Sequence, residues 1–142
     1  MKNKEIQKIT TKDGFMVPVY KDWDVETNEG YKPAMVYATY LNPGVEKDII
    51  VHKQRTGYLA CLFGAVRVEA YVNGQLEEHL LSFNDAKDKL DLLIVDPGTP
   101  LKFTNQLNQV SIILNCPSPA WHPDNEDTYK FTTWEEYLKW LD

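Results

Sequence analysis

Few residues in this 142-residue sequence carry acid–base, metal-binding or nucleophilic chemistry at neutral pH. There are three histidines (His52, His79 and His122), two cysteines and two arginines. His52 is the natural proton carrier, since an unperturbed imidazole titrates near pH 6.5. Its competing reading is a hydrogen-bonded histidine inside the fold. A transition metal needs three or four convergent nitrogen, oxygen or sulfur ligands. His79 sits in an alternating strand and His122 in a proline-rich loop, which leaves His52 alone, so no metal and no other cofactor is expected. Arg55 and Arg67 could fork onto phosphate oxygens, or be solvated charges at strand edges. Trp121 could stack on a base or sugar, or staple its loop to the core. Cys61 and Cys116 lie in apolar or strand-like sequence and read as buried thiols, not a bridge.

The elements that must position these residues are strands. Segments rich in Val, Ile, Tyr and Phe are separated by turn residues. They run over 6–11, 15–20, 34–41, 49–54, 58–63, 66–72, 76–82, 90–95, 101–104 and 110–115. Asn73-Gly74 is the strongest hairpin signal, because a type I′ turn needs positive φ at both central residues. Asn42-Pro43-Gly44 and Asp96-Pro97-Gly98 mark further turns. Residues 22–32 and 117–127 read as polar loops. About ten short strands predict an all-β sandwich, jelly roll or barrel. One helix is expected at the C-terminal end, where a threonine at 132 or 133 can cap with a glutamate three residues on. Trp134, Tyr137, Leu138 and Leu141 would form its apolar face, docked on the barrel exterior.

Composition sets outer bounds. One domain is expected over residues 1–142. The net charge is −6 and the pI about 5.0, which argues against a nucleic-acid partner. No apolar run approaches a membrane span, and the first twelve residues lack the apolar core of a signal peptide. No membrane partner is expected, and the expected location is the cytoplasm.

Gly44, Ile50, His52, Gly57 and Gly64 carry the spacing G-x5-I-x-H-x4-G-x6-G. This resembles the first cupin motif, G-x5-H-x-H-x3,4-E-x6-G. Gly98-x2-Leu101-x3-Asn105 is similar to the second, G-x2-H-x3-N. Three of the family's four metal-ligand positions hold Ile50, Gly57 and Leu101, so the resemblance is to a cupin with its metal site erased. The fold it implies is a double-stranded β-helix (jelly-roll) barrel with a short C-terminal helix.

The whole chain is similar to the metal-free RmlC-like group of nucleotide-sugar 3,5-epimerases and 3,4-ketoisomerases. The similarity lies in Asp13-Gly14-Phe15, Val36-Tyr37, the segment Lys47 to Lys53, Cys61-Leu62-Phe63-Gly64, and the tail from Asp127 to Tyr137. It implies an epimerase or ketoisomerase acting on a 4-keto nucleotide sugar. Ile50 occupies the usual base position, so His52 would have to be the base, with Tyr37 as acid or donor. Arg55, Arg67, Lys102, Asn105, Asn115 and Trp121 make up the expected substrate-binding set; Asn115 falls near the epimerase's catalytic tyrosine. The related enzymes are dimers, and the strand around Ile49 to His52 is apolar on both faces, so a homodimer is expected. The alternative function is a non-catalytic cupin that binds a carbohydrate or small ligand.

Overall fold

The computed structural model describes residues 1–84 and 87–142. Two five-stranded antiparallel sheets face each other. The first has the order β1-β9-β6-β11-β4, formed by Lys2–Gln7, Lys89–Val95, Gly57–Phe63, Ser111–Asn115 and Tyr37–Leu41. The second has the order β12-β5-β10-β7-β8, formed by Thr128–Phe131, Ile49–His52, Leu101–Thr104, Ala65–Val72 and Gln75–Ser82. A small hairpin pairs β2 (Ile9–Thr11) with β3 (Gly14–Met16). This is the expected jelly-roll barrel. Among the described residues, no helix is long and apolar enough to cross a membrane.

Alternation explains the layering. On β7, Val66, Val68 and Ala70 point into the barrel beside Leu101 and Phe103 of β10 and Leu59, Leu93 and Ile113 of the first sheet. β6 is buried on both faces, because Tyr58 and Ala60 join a second apolar cluster with Ile6, Val19, Leu92 and Cys116. A continuous apolar run is what such a strand requires. Both cysteines are buried free thiols, and burial pushes both thiols up in pKa. The β7–β8 hairpin turns on Asn73 (φ 51°) and Gly74 (φ 78°), as its dipeptide predicts.

The corner between β6 and β7 is tighter. Gly64 has φ +77°, and a Cβ there would lie 2.3 Å from Ser111 Oγ and 3.2 Å from Ser111 Cα. Ser111 cannot yield freely, since its hydroxyl donates to Asn105 Oδ1 and accepts from the Ala65 amide. Gly64→Ala is therefore expected to destabilise the fold by about 2 kcal/mol, within the usual cost of a forced left-handed residue. Chemical denaturation checks it, and an unchanged midpoint refutes it.

Several segments differ from the sequence reading: the strand expected over 15–20 ends at Met16 and that expected over 34–41 begins at Tyr37. The strand expected over 6–11 breaks at Lys8: β1 joins β9, while β2 turns into its own hairpin. The loop expected over 22–32 contains a one-turn helix, α1 (Val25–Asn28), whose N-cap Asp24 accepts from the Thr27 amide. β12 has no counterpart among the expected strands.

The C-terminal helix, α2 (Trp134–Leu141), forms as expected, with Thr133 as N-cap accepting from the Glu136 amide. Its docked face is aromatic and lies against the outside of the second sheet, whereas Leu138 and Leu141, expected on that face, are exposed. Tyr137 packs edge-on to Phe131 and Tyr71, and Trp140 packs on Tyr129 and Phe131. Phe131 and Tyr129 are register partners of Ile49 and Val51, which are 0% and 3% exposed within the single chain. The outer face of β5 is thus already covered, and the physical ground for expecting a dimer through it falls away.

Candidate functional site

The lumen opens between β5 and β12 of one sheet and β4 and β11 of the other. Its narrow inner part, about 40 Å³, is floored by Leu59, Val95, Leu101, Phe103 and Ile113. Its wider mouth, about 360 Å³, is edged by Lys47, Trp121, Glu126, Thr128 and Lys130. Tyr37, Thr39, Ile50, His52 and Arg55 line both parts. Ile50 and His52 share the inner face of β5 because side chains repeat every second residue.

His52 sits in a compact polar cluster. Its Nδ1 lies 2.7 Å from Arg55 Nη2 and 2.9 Å from Thr128 Oγ1. Arg55 Nη2 also donates to Thr128 Oγ1 at 2.9 Å, and Arg55 Nε donates to both carboxylate oxygens of Asp127 at 3.1 and 3.3 Å. Both members of this ion pair are buried. Burial, and then the neighbouring Arg55 charge, lower the His52 pKa to about 4, against the opposing pull of Asp127 and Glu126. Burial works to raise the Asp127 pKa, but the hydrogen bonds and charge of Arg55 prevail and hold it below the ordinary carboxylate value.

Tyr37 faces this cluster from the other sheet. It is the direct register partner of Asn115, whose Nδ2 donates to the Tyr37 hydroxyl at 2.9 Å. Asn115 is oriented by the Tyr58 amide, which donates to its Oδ1 at 3.0 Å. With its oxygen accepting from Asn115, the Tyr37 hydroxyl keeps its own proton available to the cavity.

Of the residues expected from sequence, His52, Tyr37, Arg55, Asn115 and Trp121 meet at the lumen and its mouth. Three others do not. Asn105 is fully buried at a barrel corner. Its Nδ2 donates to the carbonyls of Leu41, Asn42 and Gln109, and its Oδ1 accepts from the Leu107 amide and Ser111. That saturates an amide side chain, so Asn105 is a structural bracket. Arg67 alternates with core residues Val66 and Val68, which turns it to the outer face, paired with Glu69 at 3.2 Å. Lys102, between the inward Leu101 and Phe103, is likewise outside and paired with Glu46. Arg55 reaches the lumen but is engaged by Asp127, so it is not a free phosphate clamp. Sequence reasoning missed Asp127, Thr128, Lys47 and Lys130 as site residues. The alternation of Thr128-Tyr129-Lys130-Phe131 was the available signal, since it places 128 and 130 on one face.

The residues at the cupin metal positions do not fit a metal ion. Ile50 and Leu101 present hydrocarbon to the lumen, Gly57 has no side chain, and His52 Nδ1 is already engaged. Among the described residues, no group of three His, Cys, Asp or Glu side chains could hold one.

No protein-family model and no curated protein matches the sequence. Solved structures do match in fold. A dTDP sugar isomerase from Desulfovibrio desulfuricans G20 superposes with a TM-score of 0.80 at 14% identity, covering 96% of this chain and 87% of that one. The sugar 3,4-ketoisomerase QdtA from Thermoanaerobacterium thermosaccharolyticum, in complex with TDP, gives 0.70 at 16% identity, covering 96% and 92%. The dTDP-4-dehydrorhamnose 3,5-epimerase from Sulfolobus tokodaii gives 0.73 at 14% identity, covering 94% and 78%. Over nearly its whole length, this chain has the fold of the RmlC-like cupins.

Proposed function

We propose that this protein is an epimerase or ketoisomerase of a 4-keto sugar linked to a nucleoside diphosphate, acting without a metal or other cofactor. One observation carries the reading: His52 and Tyr37, on strands of opposite sheets, line one cavity over an apolar floor. A 4-keto sugar is acidic at the carbons beside its carbonyl, because the enolate delocalises onto oxygen. The reaction needs groups that move a proton at carbon and a donor that holds the oxygen. An apolar floor strengthens both interactions by excluding water.

The dimensions suit this substrate. The inner 40 Å³ has room for little more than a water molecule, so the sugar ring belongs in the 360 Å³ mouth, with one edge toward Tyr37 and His52. Lys47 and Lys130 edge that mouth and make no ion pair among the described residues. They are the cations available to a diphosphate, and Trp121 is available to stack on a base. The TDP bound to QdtA supports a ligand of this class.

The test is deuterium wash-in from heavy water into a panel of 4-keto sugar nucleotides, followed by NMR. Exchange is expected in the parent protein and should fall about 100-fold in Tyr37→Phe, the lower range for loss of one proton-transferring group. Lys130→Ala is expected to raise KM about tenfold, as for loss of one charged hydrogen bond, with kcat little changed. No exchange with any member of the panel, alongside measurable binding, would replace this reading with that of a non-catalytic binder.

A further inference from the structure

We propose that Arg55 and Thr128 hold His52 as a neutral imidazole with its single ring proton on Nε2, so that His52 donates a hydrogen bond to substrate oxygen while the ionised Glu126 carboxylate, which lines the same mouth, takes the proton from the adjacent carbon. This rests on the reading of the cavity as a keto-sugar site.

The geometry leaves one assignment. A guanidinium carries only N–H donors and is not deprotonated in proteins. Its 2.7 Å contact with His52 Nδ1 therefore requires a lone pair on Nδ1. The neutral ring's proton must then sit on Nε2, which makes no hydrogen bond among the described residues and belongs to a side chain that lines the cavity. For His52 to accept a proton, Nδ1 would have to receive it, placing a second cation against Arg55.

Arg55 cannot easily move aside. Asp127 grips it through Nε and through Nη2, the latter at 3.1 Å. Thr128 receives Nη2 as well. Among the described residues, the charged and titratable groups lining the cavity with the ring or acting on it are Arg55 after β5, Glu126 and Asp127 before β12, Lys130 on β12, Tyr37 on β4, Lys47 before β5 and Asp96 after β9. Two carboxylates favour a protonated ring, and neither is bonded to it: Asp127 is bonded to Arg55, and Glu126 accepts from Trp121 Nε1. A neutral donor suits an enolate oxygen, because it can stabilise the developing charge without surrendering its proton. Arg55, Asp127 and Thr128 are thus positioning residues that act through His52.

Two readouts test the proposal. The first needs no substrate: imidazole ¹⁵N–¹H correlation spectra of the parent protein. Expected is the Nε2–H tautomer, still neutral at pH 5.5. An Nδ1–H tautomer, or an imidazolium at pH 6, would overturn the proposal whatever the protein turns out to bind. In Arg55→Lys, which keeps a cation for Asp127 but loses the fork, the tautomers should mix. Unmixed Nε2–H signals there would remove Arg55 from its assigned role. The second readout is exchange in His52→Gln and His52→Ala. Glutamine retains an N–H donor but cannot act as a base, so His52→Gln should exceed His52→Ala by at least tenfold. Equal activities would show that donation is not the function of His52. A total absence of exchange in the parent protein would remove the keto-sugar reading and leave the tautomer result standing.

Discussion

Replacing Asp127 with alanine is expected to lower the unfolding free energy by about 3–5 kcal/mol, the range for stripping one partner from a buried ion pair. Arg55 is only 6% exposed, and Asp127 is its charge partner, with three nitrogen–oxygen contacts between 3.1 and 3.3 Å. Without the carboxylate, a guanidinium is left in the barrel wall with Thr128 and His52 for company, and neither can neutralise it. Removing both charges together, in Asp127→Ala with Arg55→Met, should recover most of the loss, because no uncompensated ion then remains buried. The surface pair Lys139–Glu135 is a control: both side chains are more than three-quarters exposed, so Glu135→Ala should shift stability by less than about 0.5 kcal/mol. Urea unfolding of the three variants and the parent measures the set. An Asp127→Ala protein within about 1 kcal/mol of the parent would refute the expectation.

The second large effect is with acid. His52 is held near pKa 4 in the fold, by burial first and by Arg55 second, whereas an unfolded histidine titrates near 6.5. Between these values the unfolded chain takes up a proton that the folded protein refuses. Stability is therefore complete above about pH 6.5 and falls as the pH drops, by up to about 1.4 kcal/mol per pH unit, reaching a loss of about 3 kcal/mol near pH 4. His52→Gln, which cannot titrate, should flatten the curve across this window. Asp127 has the same sign but a lower window: its lowered pKa means that its contribution goes only as the pH falls below the ordinary aspartate value. Stability measured from pH 7.5 to 4 separates the two. A parent curve that parallels the His52→Gln curve would show that the ring titrates normally.

The parts legible in the sequence were those in which periodicity and turn chemistry agree. β10 runs over the expected residues, Leu101 to Thr104, and the Asn73-Gly74 hairpin follows from the positive φ its two residues tolerate. β12 escaped because four residues between a proline-rich loop and a helix give alternation too little length to show. Arg67 and Lys102 were assigned to binding by charge and motif position alone. Their inward neighbours, Val66 and Val68 for one, Leu101 and Phe103 for the other, place them outside by the period of two. The pairing of Arg55 with Asp127 spans 72 residues, and that of Tyr37 with Asn115 spans 78. Local pattern carries no information about contacts at such separation. His52 could be found by type and motif spacing, and Tyr37 only by the resemblance of its strand; the tautomer of one and the orientation of the other depend on partners that only the folded sheets supply.

β12 is an edge strand of four residues, hydrogen-bonded on one side to β5 and held by the aromatic packing of α2. Edges of sheets open first, so the wall of the site that carries Thr128 and Lys130 belongs to the least protected part of the barrel. Amide hydrogens from Thr128 to Phe131 should exchange with solvent well before those of β6, which has neighbours on both sides. Each such opening releases Thr128 from His52 while leaving the floor of the lumen intact.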